Sequence, residues 1–483
     1  MNLTHQSVRD LAALLSSRKV SAREVLDAHL AAIDRINPKV NAIVTLDRDG
    51  AYAQADAIDT RRARGEAVGP LAGIPIACKD MERVKGMRTT FGSPIYRDHV
   101  PDADTVMVEK FRAHGLVIIG KTNTPEFALG SQTFNTVFGK TLNPWDTSKT
   151  CGGSSGGAAV AVATRMLPFA DGSDLGASLR NPANFCNCVG VWTTPGRVSV
   201  SPNADLWNNM SVHGPIGRTA EDAAKLLFAQ AGGDRRVPNA IWEDPAPFLE
   251  PLDRDFKGVR VAYSPTLGGV PVQKAVRDAL DAGIRHFEAL GCIVEEAEPD
   301  LSETDDCFHV LRAFLLAQSY GSLLADHRAE MKDTAVWNIE RGLTLNAAEI
   351  VEAVRQHTRI FQSMARFMQR YQFLLAPVNQ VLPFPVDDPY VTEINGVKLD
   401  NYLDWMKSCY RITMTAHPAL SVPIAFVAES AGAIELPVGI QIIGRYRDDL
   451  GILQLAHALE QQAPLWKRMP PVALDIARAN HRG

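Results

Sequence analysis

Residues 150–160 read Thr-Cys-Gly-Gly-Ser-Ser-Gly-Gly-Ala-Ala-Val, so that four glycines flank two serines at the start of an Ala- and Val-rich segment. Glycine permits backbone conformations that other residues rarely adopt, and a glycine-rich loop before a helix can present backbone N–H groups to an anion. A flexible turn would have the same composition, and a phosphate-binding loop would end in Gly-Lys-Ser/Thr, which is absent here. The neighbouring segments therefore decide what this loop does.

Outward from this loop, the sequence alternates amphipathic helices with short apolar strands. Residues 104–114 predict a helix, and residues 116–119 predict a buried strand. Further on, residues 259–263, 273–290 and 292–294 predict a strand, a helix and a second strand in turn. This alternation is typical of an α/β sheet with helices packed on its faces.

The chain is predicted to form one large α/β domain over residues 1–483, with a catalytic core at about residues 65–220. Residues 301–372 contain little Gly or Pro and predict a helical, cap-like insertion into that domain. Residues 375–400 are Pro-rich and predict an irregular connection, whereas residues 436–443 predict a late strand. The sequence contains no internal repeat and no low-complexity linker.

Two segments on either side of the serine loop give it a context. Residues 69–80 read Gly-Pro-Leu-Ala-Gly-Ile-Pro-Ile-Ala-Cys-Lys-Asp, and residues 171–182 read Asp-Gly-Ser-Asp-Leu-Gly-Ala-Ser-Leu-Arg-Asn-Pro. Together the three segments resemble the amidase signature family, and Asn-Pro-Trp-Asp at residues 143–146 supports the match. The resemblance runs from about residue 20 to residue 462. It implies the fold of that family, an α/β fold with a large mixed central sheet flanked by helices on both faces.

The resemblance also implies a catalytic triad. In the family, the serine that matches Ser178 is the nucleophile, the serine that matches Ser154 relays protons, and the lysine that matches Lys79 is the base. The separations of 75 residues from Lys79 to Ser154 and of 24 residues from Ser154 to Ser178 match the family. A cis peptide bond before Ser154 is implied as well, and Ser155 is expected to support the loop.

Elementary chemistry supports the same roles. A serine hydroxyl is a poor nucleophile without an adjacent base, and none of the 12 histidines lies inside these motifs. A lysine can take the place of histidine in Ser–Lys variants of the triad only when it is neutral, which requires a lowered pKa. The apolar run before Lys79 is consistent with burial, which disfavours the ammonium form.

The backbone N–H groups that follow the Asp-Gly-Ser-Asp run are expected to form the oxyanion hole, which stabilises charge on the substrate carbonyl oxygen. The residues concerned are Leu175, Gly176, Ala177 and Ser178. The family commonly has Gly-Gly-Ser-Ile here and this chain has Gly-Ala-Ser-Leu, in which the alanine keeps its N–H. Asp174 and Arg180 are expected to hold the loop by an ion pair. Neither a metal nor an organic cofactor is expected.

Substrate contacts are predicted just before the serine loop and in a later loop at residues 200–212. Small side chains before the serine loop leave room for a ring, and apolar ones in the later loop suit an entrance. The candidates are Ala128, Gly130, Thr133, Phe134, Trp207 and Met210. No Arg or Lys is evidently placed to bind a substrate carboxylate, with Arg197 as the one candidate. Small neutral aryl amides, anilides or carbamates (urethanes) are therefore favoured, with ester hydrolysis as a side activity.

Three functions remain open for such a chain. The first is a free-standing amidase, the second is the glutamine-hydrolysing A subunit of a tRNA-dependent amidotransferase, and the third is a non-catalytic binding protein on the same scaffold. The presence of all three triad side chains weighs against the third. Residues 190–197 read Gly-Val-Trp-Thr-Thr-Pro-Gly-Arg, with Trp192 where the common motif of the family has Lys. This change favours the free-standing amidases over the amidotransferase subunits.

Composition restricts the partners and the location that are expected. A net charge of −5 and the lack of a basic arm argue against nucleic acid as a partner. The sequence has no evident signal peptide and no apolar run long enough to span a bilayer. Its seven scattered cysteines fit a reducing cytosol, and Cys186 and Cys188 are expected to be buried thiols. We therefore expect a cytoplasmic monomer or homodimer that binds a small amide or carbamate and no membrane.

Overall fold

The computed structural model describes residues 1–430 and 432–474, and its largest sheet has eight strands. The strands are β1 (Ile43–Leu46), β2 (Pro75–Lys79), β3 (Val117–Thr122), β4 (Phe134–Asn135), β5 (Gly139–Lys140), β6 (Phe169–Asp174), β7 (Val189–Trp192), β8 (Val212–Gly217), β9 (Arg260–Tyr263), β10 (Ile293–Glu296), β11 (Phe373–Pro377), β12 (Glu393–Ile394), β13 (Val397–Lys398), β14 (Ala419–Ala428) and β15 (Glu435–Gly444). The helices are α1 (Val8–Ser16), α2 (Ala22–Val40), α3 (Arg48–Ala63), α4 (Val106–Ala113), α5 (Gly156–Ala163), α6 (Arg180–Cys186), α7 (Ala220–Gln230), α8 (Lys274–Ala289), α9 (Thr304–Tyr320), α10 (Leu324–His327), α11 (Asp333–Leu343), α12 (Ala347–Arg370), α13 (Lys407–Thr413), α14 (Asp449–Gln462) and α15 (Pro471–Leu474).

The eight-stranded sheet runs in the order β10-β9-β11-β15-β14-β7-β8-β6. Strands β10, β9 and β11 pair in parallel, and the remaining pairs of this sheet are antiparallel. A smaller sheet runs in the order β1-β3-β2, with β2 and β3 parallel. The predicted fold class, an α/β fold with a large mixed central sheet flanked by helices, is confirmed.

The local patterns around the serine loop form the expected elements. The helix predicted at residues 104–114 is α4, and the Thr105 side chain caps its N-terminus by accepting the Val108 N–H. Gly115, with φ of +73°, follows this helix and leads into β3. Strand β9, helix α8 and strand β10 reproduce the predicted strand, helix and strand. The irregular connection was predicted to begin too early, because β11 continues to Pro377 within the sheet.

The segment between β10 and β11 is mostly helical and consists of α9 to α12. Helices α11 and α12 both pack against α9. Cys307 and Phe308 on α9 share a buried apolar cluster with Ala177, which lies in the turn after β6. This packing brings α9 to the end of the central sheet that carries the catalytic motifs. The assignment of this segment as an insertion into one large domain stays a prediction.

The two sheets meet where the predicted base lies. The backbone N–H of Lys79, at the end of β2, donates to Asp171 Oδ1 in β6 at 3.1 Å. Helix α5, which begins directly after the two serines, packs close to the smaller sheet. A Cβ on Gly157 would lie 2.5 Å from the carbonyl oxygen of Ala42, so glycine is required for this approach. The serine loop is thus held between the sheets.

Several predictions from composition can be compared with the part of the chain that is described. All seven cysteines are buried free thiols, Cys186 and Cys188 included. Among residues 1–430 and 432–474, no helix has both the length and the apolar composition needed to cross a membrane. The same residues contain no group of three or more His, Cys, Asp or Glu side chains that could hold a metal ion. The expectation that the protein needs no cofactor stays a prediction.

Candidate active site

Lys79 ends strand β2, and all five residues of this strand are buried. Its Nζ lies 2.7 Å from Ser154 Oγ and 3.0 Å from Ser155 Oγ. The same nitrogen lies 3.0 Å from Ser173 Oγ and 3.3 Å from the Ser173 carbonyl oxygen. The structure therefore surrounds the lysine with hydroxyl groups, and two of them belong to the serine loop.

Burial lowers the pKa of Lys79 to about 7. The negative charges of three carboxylates oppose this shift: Asp171, Asp174 and Glu82. Burial also raises the pKa of Asp171, which accepts the backbone N–H of Lys79. An amine with a pKa of about 7 is largely neutral in mildly alkaline solution and can accept a proton there. The environment of Lys79 is thus that of a general base.

The serine loop is held by hydrogen bonds to the chain beside it. Thr133 Oγ1 donates to the Gly152 carbonyl oxygen at 2.9 Å and accepts the Gly156 N–H at 3.1 Å. The Gly153–Ser154 peptide bond is cis, as the resemblance implies. Thr133 does not line the cavity described below, although the sequence predicted it as a substrate contact. Its hydroxyl is instead used to support the loop.

Ser178 lies in the turn between β6 and α6, which is held by the fully buried pair of Asp174 and Arg180. Arg180 Nε and Nη2 donate to the two carboxylate oxygens of Asp174 at 3.0 and 3.1 Å. Asp174 also accepts the Leu179 N–H at 3.0 Å. Arg180 Nη1 donates to Gln441 Oε1 on β15 at 2.9 Å, which connects the turn to the central sheet. The predicted ion pair is confirmed.

The four predicted oxyanion residues line one cavity together with Ser154 and Ser178. Within residues 1–430 and 432–474, none of the backbone N–H groups of residues 175–178 donates a hydrogen bond to the protein. They are therefore available to a ligand, as an oxyanion hole requires. Helix α9 lies close to this turn, because a Cβ on Gly176 would be 3.2 Å from the ring of Phe308.

The cavity beside the two serines has a volume of about 620 Å³. Lys79 lies behind the serine loop and does not reach the cavity wall. Aromatic and aliphatic side chains form much of that wall, namely Phe91, Tyr96, Phe127, Phe308, Leu316 and Tyr320. Phe127 and Tyr320 stack with ring centroids 4.5 Å apart, which joins the loop before the serines to α9. A cavity of this size and lining suits a small substrate with an apolar ring.

Two of the predicted substrate contacts before the serine loop lie in this wall. Ala128 and Gly130 both line the cavity, and both have positive φ, of 56° and 104°. Phe134 does not line it. Its ring lies 5.5 Å from Lys332 Nζ, and its strand β4 pairs with β5. The assignment of Phe134 as a substrate contact stays a prediction.

The loop at residues 200–212 borders the cavity, but not through the two side chains that were predicted. Residues 202–204 line the cavity, whereas Trp207 and Met210 do not. Asp205 Oδ1 accepts the Trp207 N–H at 2.9 Å, and Asn208 Oδ1 accepts the Met210 N–H at 2.8 Å, so two successive turns fold this loop. Trp207 is 71 % exposed, and Met210 is buried in a core cluster. These two side chains therefore do not form the wall of this cavity, and their assignment as substrate contacts stays a prediction.

Two arginines that the sequence did not single out lie in the cavity wall. Arg83 and Arg312 both line the cavity. Arg197, the candidate from the sequence, does not line it and is held by Asp449 at 3.1 Å and by Glu243 at 2.6 Å. Arg312 lies on α9, and its role could be recognised only once that helix was known to face the cavity.

A carboxylate and an imidazole at the polar end of the cavity were likewise missed. Glu82 and His213 line the cavity, with His213 Nδ1 3.3 Å from Glu82 Oε1. His213 is paired in register with Ser173 across β8 and β6, so it is adjacent to a residue that contacts Lys79. The one signal in the sequence is the position of Glu82, three residues after Lys79.

Comparison with known proteins agrees with this geometry. The family model Amidase matches residues 24–453. An acylamidase from Rhodococcus erythropolis is 32 % identical, over 99 % of this chain and 99 % of its own length. The A subunit of glutamyl-tRNA(Gln) amidotransferase from Geobacillus kaustophilus is 33 % identical, over 97 % of this chain and 100 % of its own length. The crystal structure of a bacterial aryl acylamidase matches with a TM-score of 0.89 at 28 % identity, over 97 % of this chain and 98 % of that one.

Proposed function

The chain belongs to the amidase signature family of amide hydrolases, and we propose that it cleaves its substrate through an acyl-enzyme formed on Ser178. The observation that carries this proposal is the 2.7 Å contact between Lys79 Nζ and Ser154 Oγ at the cavity that Ser178 lines. Ser154 is then the proton relay and Lys79 is the base. Ser155 also contacts Lys79, but it does not line the cavity, which favours Ser154 as the relay.

In the proposed acylation, neutral Lys79 takes the proton of Ser154 while Ser154 Oγ takes the proton of Ser178. Ser178 Oγ attacks the substrate carbonyl carbon, and the oxyanion accepts hydrogen bonds from the N–H groups of residues 175–178. When the C–N bond breaks, Lys79 returns its proton through Ser154 to the leaving nitrogen, so the amine leaves neutral. Water then gives a proton to the same relay as it attacks the acyl carbonyl, and the relay returns this proton to Ser178 Oγ when the ester C–O bond breaks, which releases the acid and restores Ser178.

The substrates we propose are small neutral aryl amides, anilides or carbamates, with esters hydrolysed as a side activity. Aromatic rings in the cavity wall offer offset or edge-to-face contacts to a substrate ring. The names of two similar proteins, an acylamidase and an aryl acylamidase, support the same class. We also propose that the chain acts without partner subunits, as a monomer or a homodimer.

The second candidate is the glutamine-hydrolysing component of an amidotransferase. The 33 % identity to such a component, over nearly the whole of both chains, favours it. Against it stands Trp192, which is fully buried in β7 and lies 5.7 Å from the guanidinium carbon of Arg180. A lysine at this position would put a second positive charge next to Arg180. The side chain packed near Arg180 in this chain therefore differs in charge from the one in the common motif.

The experiment that decides between the two compares kcat/KM of the purified chain for a nitroanilide, an aryl carbamate and glutamine. We expect turnover of the two aryl substrates and little of glutamine. The Ser178→Ala variant is the control for a contaminating hydrolase. Efficient glutamine hydrolysis, or turnover of aryl substrates only after partner subunits are added, would favour the role in an amidotransferase.

A further inference from the structure

Arg312 lies in the middle of α9, lines the cavity and is only 5 % exposed. Its Nη2 donates to Tyr402 Oη at 2.8 Å, and its Nη1 donates to Asn338 Oδ1. A guanidinium group has five N–H donors, so these two neutral acceptors leave donors to spare. Within residues 1–430 and 432–474, Arg312 forms no ion pair with a carboxylate.

A buried charge without a counter-ion is unusual, because removing a charge from water costs more free energy than neutral partners return. Arg180 and Arg197 show the ordinary solution, since each is held by an aspartate. Arg165 is also buried without a carboxylate, but it donates to the Trp466 carbonyl oxygen and does not line the cavity. Arg312 combines burial, an unpaired charge and access to the cavity beside the catalytic serines.

The carboxylates closest to this region are already used by other groups. Glu126 accepts the Ser93 hydroxyl at 2.7 Å and the Lys332 backbone N–H at 2.8 Å. Asp404 is paired with Lys407 at 3.4 Å. The pKa of Lys332 is lowered to about 8, mainly by burial and in part by the positive charge of Arg312. The negative charge of Glu126 opposes this shift of Lys332, and neither Glu126 nor Asp404 forms an ion pair with Arg312.

The position of Arg312 relative to the catalytic turn indicates what could supply the missing charge. Arg312 follows Phe308 by one helical turn, and Phe308 packs against Gly176 in the oxyanion turn. One helical turn separates side chains by about 5–6 Å. A group bound by Arg312 would thus lie a few bonds from a carbonyl carbon attacked by Ser178.

We propose that Arg312 binds a carboxylate group of the substrate, a few bonds from the amide bond that is hydrolysed. This inference rests on the proposed function and refines its substrate class. Guanidinium and carboxylate form paired, charge-assisted hydrogen bonds, which are stronger than bonds to neutral acceptors. Neutral aryl amides remain substrates, and an acid that carries the same ring and amide bond is the better one.

The test uses two matched pairs of anilides, because the carboxylate can belong to the acyl group or to the leaving group. Glutaric acid monoanilide is compared with pentananilide, and 4-acetamidobenzoic acid with 4-methylacetanilide. In one of the pairs we expect wild-type kcat/KM to favour the acid at least about tenfold, chiefly through KM. The Arg312→Met variant should reduce that preference at least about tenfold, and Arg312→Lys should retain part of it.

Two control variants separate this role from a structural one. Arg359→Gln removes an exposed cation that is paired with Glu303 and Glu352, and it should leave the preference for the acid unchanged. Tyr402→Phe removes an acceptor of Arg312 while the charge remains, so it should lower Tm and keep the preference. If Arg312 only joined Tyr402 to α9, Arg312→Met would lower Tm and leave the ratio of the two kcat/KM values as it was.

Binding to the Ser178→Ala protein provides a readout that needs no turnover. Calorimetry on the same four anilides, with and without Arg312→Met, should show the same preference in Kd. An Arg312-dependent preference in Kd, without release of the corresponding arylamine by the wild type, would support the Arg312 site and contradict the proposed substrate class. Equal affinity for acid and neutral partner in both pairs, or a preference that survives Arg312→Met, would overturn the inference.

Discussion

The turn at residues 171–180 and the inner face of α9 line the same cavity. A buried arginine is paired with a carboxylate in the turn, whereas the buried arginine on the helix is not. In the turn, Arg180 is paired with Asp174, so the charges that position Ser178 cancel within the protein. On α9, Arg312 has only neutral partners. The buried charges of the turn are balanced without a ligand, whereas we assign the balancing charge of Arg312 to a bound substrate.

Burial has different consequences for the protonation of Lys79 and of Arg312. Both side chains are buried, and among the described residues neither forms an ion pair with a carboxylate. Lysine responds by losing its proton more easily, and its pKa falls to about 7. Arginine keeps its proton at any ordinary pH and therefore keeps its charge. Burial thus favours the proposed role of Lys79 as a base and that of Arg312 as an anion-binding group.

The largest expected loss of activity comes from a substitution in the turn. Ser178→Ala should lower kcat by at least about 10³-fold, since it removes the nucleophile, and should leave Tm nearly unchanged. The measurement is steady-state hydrolysis of a nitroanilide together with thermal unfolding. Retention of more than a few per cent of the wild-type rate would show that Ser178 is not the nucleophile.

The next effect separates the two serines that contact Lys79. Ser154→Ala should lower kcat by about 10²-fold or more, because it removes the relay, and Ser155→Ala should lower it far less. Both hydroxyls lie within 3.0 Å of Nζ, so each variant is the control for the other. Equal losses in the two variants on one substrate would contradict the assignment of Ser154 as the relay.

The pH profile tests whether burial makes Lys79 a base. The free amine is the active form, so kcat/KM should rise with pH by roughly tenfold between pH 6 and pH 8, with a midpoint near 7, and then level off. The pKa of Asp171, which accepts the backbone N–H of Lys79, is itself raised by burial. Asp171→Asn removes a charge that raises the pKa of Lys79 and should move the midpoint down. A rate maximum below pH 6 would exclude a neutral lysine as the base.

The smallest effects compare two aromatic residues near the cavity. Phe308→Ala should lower kcat/KM for a nitroanilide by about fivefold, because the ring lines the cavity and packs on the oxyanion turn. Trp207→Ala should change it by less than about twofold, because this side chain is exposed and away from the wall. The same assay measures both variants. A larger loss from Trp207→Ala would restore it as an entrance residue.

Short-range sequence features predicted the turn well, and they predicted the cavity wall poorly. Lys79 lies in a fully buried strand, and Ser154 and residues 175–178 lie in turns that hydrogen bonds hold in place, so sequence spacing carries over into geometry. Trp207 and Met210 lie outside the cavity wall because two turns capped by Asp205 and Asn208 decide where a flexible loop points. Arg312 could not be found, since an arginine on an amphipathic helix is ordinarily exposed.

The most direct test of the proposed nucleophile is to trap the acyl-enzyme with an O-aryl carbamate, which loses its phenol to the serine, and to map the modified residue by peptide mass spectrometry. The nitrogen lone pair of the carbamoyl group makes its carbonyl carbon a poorer electrophile than that of an ordinary ester, so deacylation should be slow and the intermediate should accumulate. The result we predict is a carbamoyl group on Ser178 in the wild type and none in Ser178→Ala. Modification of Ser154 or Ser155 in the wild type, or undiminished labelling of Ser178→Ala, would contradict the account.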